Sequence, residues 1–166
     1  MFNKAMQTAS NVAWEGQWEE AIPAYKQALA EFPDSVDALA GLGMAYASSG
    51  RPAEALDAYR RASELEPDDP VLLERIGKAL EQLGREKEAA RAFLSCGKQY
   101  VDQQRAPRLA IECWEAAARL DPACVEARVA LLKYYQQQER IGEVVDECLA
   151  LAEIYKDQER LDYAVR

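Results

Sequence analysis

The sequence of 166 residues contains no histidine. That removes imidazole acid–base catalysis, Ser/His triads and histidine-based metal sites at once. The four cysteines, Cys96, Cys113, Cys124 and Cys148, form no C-x-x-C pair. They read as small apolar residues rather than as metal ligands or a disulfide framework. No apolar run is long enough to cross a bilayer, and the N-terminal MFNKAMQTASNVAWEG has no signal-peptide core. A cytoplasmic, reducing compartment is therefore the expectation. Basic side chains number 20 against 29 acidic ones, a formal charge of −9. A clustered positive footprint for nucleic acid is missing, and an anionic membrane surface would be disfavoured. No Gly-rich phosphate loop occurs, and the carboxylate pairs Glu19-Glu20 and Asp68-Asp69 have no partner group for acid–base work. They read as acidic charge at a helix N-terminus and as a capping turn. The sequence predicts no enzyme, no cofactor, no metal, no nucleic acid and no membrane.

Strand signals are scarce as well, since no run of alternating β-branched residues stands out. Ala, Leu, Glu, Gln and Arg dominate instead, which favours helix nearly throughout. The most orderly stretch is VDALAGLGMAYASSGRPAEALDAYRRASELEP, residues 36–67. Leu39, Leu42 and Tyr46 fall on one face of a helix of period 3.6. Gly43 and Ala55 are small where two helices must approach closely. Gly50 stops the first helix, and Pro52 suits the first turn of the second. The spacing of Leu39, Leu42, Gly43 and Tyr46, followed by Ala55, Tyr59, Ala62 and Pro67, resembles a tetratricopeptide repeat. The resemblance implies an all-α solenoid of helical hairpins wound as a right-handed superhelix. One hairpin cannot bury its own apolar face, so the rest of the chain should supply neighbours.

The frame extends in both directions. Gly16, Ala21, Tyr25, Ala28 and Pro33 precede Gly50, Ala55, Tyr59, Ala62 and Pro67 by 34 residues each. A third repeat supplies Leu73, Ile76, Gly77, Leu80, Gly84, Ala89 and Phe93. The frame then breaks, with Val101 where a closing Pro is due and the next Asp-Pro only at Asp121-Pro122. The simplest reading makes the helix 86–104 serve twice, closing one repeat and opening the next, with a one-residue insertion around Arg105-Ala106-Pro107. A second rhythm of 55 residues then appears. It pairs Ile76 with Leu131, Phe93 with Cys148 and Tyr100 with Tyr155, and it aligns Tyr100-Val-Asp-Gln-Gln-Arg105 with Tyr155-Lys-Asp-Gln-Glu-Arg160. The expected organisation of residues 1–166 is thus one solenoid. Its repeats lie at about 2–35, 36–69, 70–104, 86–122 (sharing the helix 86–104) and 123–158, and an incomplete repeat starts at 159–166. Nine helices are expected, with a short stub beginning near Leu161.

Trp114, Tyr25, Tyr59 and Phe93 recur at one knob position and should pack in the core. Trp14 and Trp18, which flank the first turn, are expected to pack on each other, with an exposed contact surface as the alternative. The resemblance implies that first helices line a concave groove holding an extended or helical peptide. Helical spacing assigns Asn3, Met6, Ser10 and Ala13 to that groove from the first helix. It assigns Asp37, Ala40, Met44 and Ala47 from the third, with Gly41 at the edge. From the fifth come Val71, Glu74, Lys78 and Glu81, with Arg75 at the edge. The first two stripes are small, uncharged and carry two Met residues, which suits apolar side chains of a partner. Members of the family that bind chaperone tails use a carboxylate clamp of Lys, Asn, Asn, Lys and Arg. Met6, Ser10 and Gly41 stand in its place here and only Arg75 matches, so a chaperone tail is not the expected ligand. The expected function is a non-catalytic protein–protein interaction scaffold that binds a peptide or helix in the groove of the first repeats. The alternative is self-association, or spacing of domains in a longer protein, through the unfinished C-terminal end.

Overall fold

The computed structural model describes residues 1–103 and 106–164, with side chains up to Asp157. Among the described residues the chain is all-α. Its helices are α1 (Phe2–Trp14), α2 (Trp18–Glu31), α3 (Val36–Ser48), α4 (Pro52–Leu65), α5 (Pro70–Gln82), α6 (Glu86–Asp102), α7 (Pro107–Leu120), α8 (Val125–Gln137) and α9 (Ile141–Ala164). The fold is a helical-repeat solenoid. It falls into two compact units, Met1–Ala89 and Ala90–Arg166, divided within α6.

Punctuation residues set the helix limits. Pro52, Pro70 and Pro107 open α4, α5 and α7 at positions where a backbone N–H would have no helical partner. The Asp69 carboxylate accepts from Val71 N–H at 2.9 Å and the Ser35 hydroxyl from Ala38 N–H at 3.3 Å, capping α5 and α3. Gly16, Gly50 and Gly84 follow α1, α3 and α5 with φ of 76°, 72° and 70°. Only glycine takes this left-handed turn without a steric penalty. The turn after α8 puts Glu139 there instead, with φ of 54°. Glu139 stands 55 residues beyond Gly84.

Within the first unit, α1 packs on α2, α2 on α3, α3 on α4 and α4 on α5. The contact positions are alanines without measurable exposure, Ala21, Ala28, Ala55 and Ala62 among them, which let the helices approach closely. Tyr25 and Tyr59 sit between them as buried knobs. Within the second unit, α7 packs on α8 and α8 on α9. Ala110, Trp114 and Ala117 of α7 repeat the pattern, as do buried Phe93, Cys96 and Tyr100 on α6.

The recurring joint is a glycine beneath an aromatic ring. A Cβ placed on Gly43 would meet Tyr59 Cε1 at 2.5 Å, and one placed on Gly97 would meet Trp114 Cδ1 at the same distance. Thus α6 receives the knob of α7 as α3 receives that of α4. Of the insertion expected around Arg105-Ala106-Pro107, Arg105 lies outside the described residues, as do Val165 and Arg166 of the incomplete repeat, while Ala106 precedes α7 and Pro107 opens it. The backbone of α9 runs unbroken to Ala164, without the interruption expected before Leu161. No Gly or Pro lies between Ile154 and Ala164 to stop it.

Candidate functional site

Each unit carries a largely apolar hollow. The first, of about 390 Å³, is lined by Ser10, Ala13, Trp14, Trp18, Tyr25 and Met44. Helical spacing explains the convergence. Ser10 and Ala13 are one turn apart on α1, and Met44 follows the Gly43 joint on α3. Tyr25 reaches in from α2.

Trp14 corrects one expectation. Its side chain is 90% exposed and does not pack on Trp18. The cause is register. Ala5, Ala9 and Ala13 form the buried line of α1, and Trp14 follows one step later, about 100° round the helix. Exposed there, it becomes one wall of the hollow.

The other residues expected to line the groove separate into three groups. Met6 is half-buried and packs, with Phe2 and Leu29, against the core cluster of Ala5, Ala28 and Ala38. Ala40 and Ala47 are half-buried on α3, while Asn3 and Asp37 are exposed near the starts of α1 and α3. Gly41 corrects a second expectation. It is buried, and a Cβ there would meet Tyr25 Cζ at 2.6 Å, so it is a packing joint rather than a groove edge. On α5, Lys78 Nζ pairs with Glu74 at 2.5 Å. Arg75 lies over the Tyr59 ring at 5.8 Å. Burial pushes the Tyr59 hydroxyl up, with the Arg75 charge opposing. These three charged residues largely serve their own unit.

The second hollow was not expected from the sequence. It measures about 760 Å³ and lies on α6, α7 and α8. Its walls include Lys98 and Val101 from α6, and Val129, Lys133 and Tyr134 from α8, with Trp114 between. The signal was present in the repeat frame. Lys98 follows the Gly97 joint as Met44 follows Gly43, and Val129 and Lys133 stand 55 residues beyond Glu74 and Lys78. Applying the inward stripe to α6 and α8 as well as to α1, α3 and α5 would have found it. The Trp114 side chain is 7% exposed, and its Nε1–H has no hydrogen-bond acceptor among the described residues.

Among the described residues no set of three or more His, Cys, Asp or Glu is placed to hold a metal ion. Cys96 and Cys113 are buried and Cys124 is half-buried, while Cys148 is exposed on α9, unlike the filler role expected of it. No described helix is long and apolar enough to cross a membrane.

The family model for the tetratricopeptide repeat matches residues 15–72, from the end of α1 to the start of α5. Over those residues the chain is similar to the tetratricopeptide repeat. No curated protein matches the sequence. Among solved structures, the type III secretion chaperone SycD of Yersinia enterocolitica is similar at a TM-score of 0.66. It is 15% identical over 71% of this chain and 90% of its own. The Sgt2 TPR domain of Aspergillus fumigatus is similar at 0.63, with 20% identity over 71% of this chain and 77% of that one. A MamA structure reaches 0.53 at 21% identity, over 96% of this chain and 94% of its own. At such identities the likeness is one of fold. Tetratricopeptide-repeat proteins are typically non-catalytic scaffolds for protein interaction.

Proposed function

We propose that this chain is a non-catalytic scaffold whose first repeats hold a peptide or helix of a partner protein. The partner lays an apolar side chain into the hollow between α1 and α3. The observation that carries this reading is Trp14, a large apolar side chain left 90% exposed at the rim of a hollow that also contains Met44. Exposed aromatic anchors beside a concave apolar surface are the usual core of a protein interface. Met44 adds an unbranched, polarisable wall that adapts to different partners. The similar SycD is solved with a peptide of the translocator YopD, which supports the reading that a fold of this kind accommodates a peptide.

The test is direct. Peptides are selected from a random library against the whole chain and titrated against the wild type, Met44→Glu and Trp14→Ala. Both variants weaken binding by about tenfold or more, the cost of truncating or charging a central anchor. Unchanged affinity in both would remove the assignment.

A second reading is favoured by α9. Ile141, Val145 and Leu149 recur at four-residue intervals and are 76%, 50% and 61% exposed. Such a stripe supports self-association of copies through this helix. Light scattering over a wide concentration range tests it. A dimer that Leu149→Glu dissociates is the expected result, and a strict monomer rules it out.

A further inference from the structure

The hollow on α6, α7 and α8 is larger than the one beside Trp14 and differs in charge. Lys98 and Lys133 are both exposed on its walls. Neither has an ion-pair partner among the described residues, although the chain as a whole is acidic. The contrast with α5 shows how this arises. There Lys78 is neutralised by Glu74 one turn earlier. In α8 the equivalent of Glu74 is Val129, so Lys133 lacks that carboxylate partner and the wall beneath it becomes apolar. On α6, Lys98 takes the position that the neutral Met44 holds on α3. The exposed carboxylate on the rim, Glu126, sits in the first turn of α8, where the helix dipole favours it.

We infer that this hollow is a second binding site, and that its occupant is a peptide segment of a partner protein in which an acidic residue adjoins an apolar one. The apolar side chain lies on Val129, Tyr134 and Trp114, and the carboxylate lies between the two lysine ammonium groups. Charge complementarity selects this occupant. Two unpaired cations over an apolar floor attract a carboxylate and repel a basic segment, and such arrangements decide the choice of partner more than the total affinity. The inference rests on the scaffold reading above but concerns other residues, so the two can fail separately.

The experiment uses the whole chain. Short random peptides are selected against the wild type and against the double variant Lys98→Glu/Lys133→Glu, whose exposed positions leave packing intact. The wild type enriches peptides with Asp or Glu beside Leu, Ile or Phe, and these bind the double variant at least about tenfold more weakly. Val129→Trp, which fills the hollow without altering charge, weakens the same peptides. Circular dichroism melts confirm that both variants fold. A selection without acidic preference, or acidic peptides that bind all three proteins alike, overturns the inference. So does loss of those peptides with Met44→Glu alone, which places them at the first hollow and leaves the scaffold reading standing. A short oligouridylate that binds as tightly as the peptides, and is lost in the double variant, overturns it too by showing an unselective anion site. An absence of any selected peptide counts against both sites.

Discussion

The indole of Trp114 lies against the bare Cα of Gly97, so that a Cβ there would meet Trp114 Cδ1 at 2.5 Å. Gly43 stands in the same relation to Tyr59. Gly97→Ala and Gly43→Ala should each destabilise the chain by about 1–3 kcal/mol, since a rigid ring must move and the helix-propensity gain of alanine is smaller than that cost. Gly142 is the control, because a Cβ there meets none of the described residues within 4 Å. Gly142→Ala should be neutral or stabilising by up to about 1 kcal/mol. Urea unfolding of the three variants checks the contrast, and equal effects would remove the joint from the account.

Glu139 holds a left-handed conformation that glycine holds after α1, α3 and α5. Glu139→Gly should therefore raise stability by about 0.5–1 kcal/mol, the relief of strain exceeding the added freedom of the unfolded chain. Thermal melts read this as a higher midpoint. A lower midpoint would mean that the turn after α8 is not strained.

Tyr135 donates its hydroxyl hydrogen to Glu115 at 2.7 Å and so ties α8 to α7. Burial, and then that hydrogen bond, hold its pKa above the usual tyrosine value. The folded chain keeps the proton where the unfolded chain has begun to lose it. Its contribution to stability is therefore complete below about pH 10 and is lost as pH rises through the raised value. Tyr135→Phe should cost about 1 kcal/mol near pH 8, and the gap between wild type and variant should narrow in more alkaline solution. Unfolding curves across that range measure it. A gap that widens with pH would contradict the assigned proton.

Much of the fold was legible because its determinants are local. Gly16, Gly50 and Gly84 mark turns, Pro52, Pro70 and Pro107 mark starts, and Tyr25, Tyr59 and Trp114 mark knobs, each at a fixed offset in the sequence. What escaped depends on which helix supplies the neighbour. Gly41 lies on the inward side by spacing alone, yet the Tyr25 ring from α2 covers it. Trp14 looked like a packing residue because tryptophan usually is one, whereas Ala13 beside it holds the buried register. The second hollow escaped for a related reason. Its lysines carry meaning only against the Glu74–Lys78 pair, a contact that becomes visible when α5 and α8 are laid in one frame.

The chain has three methionines, Met1, Met6 and Met44. They offer the most direct test of the central claim that the first repeats bind a partner segment. Carbon-labelled methionine methyls are followed by NMR while a selected peptide is titrated into the whole chain. The Met44 methyl, in the hollow beside Trp14, should shift progressively and saturate with the peptide, and Met1 should not move. Saturable binding with the Met44 methyl unmoved would contradict the account.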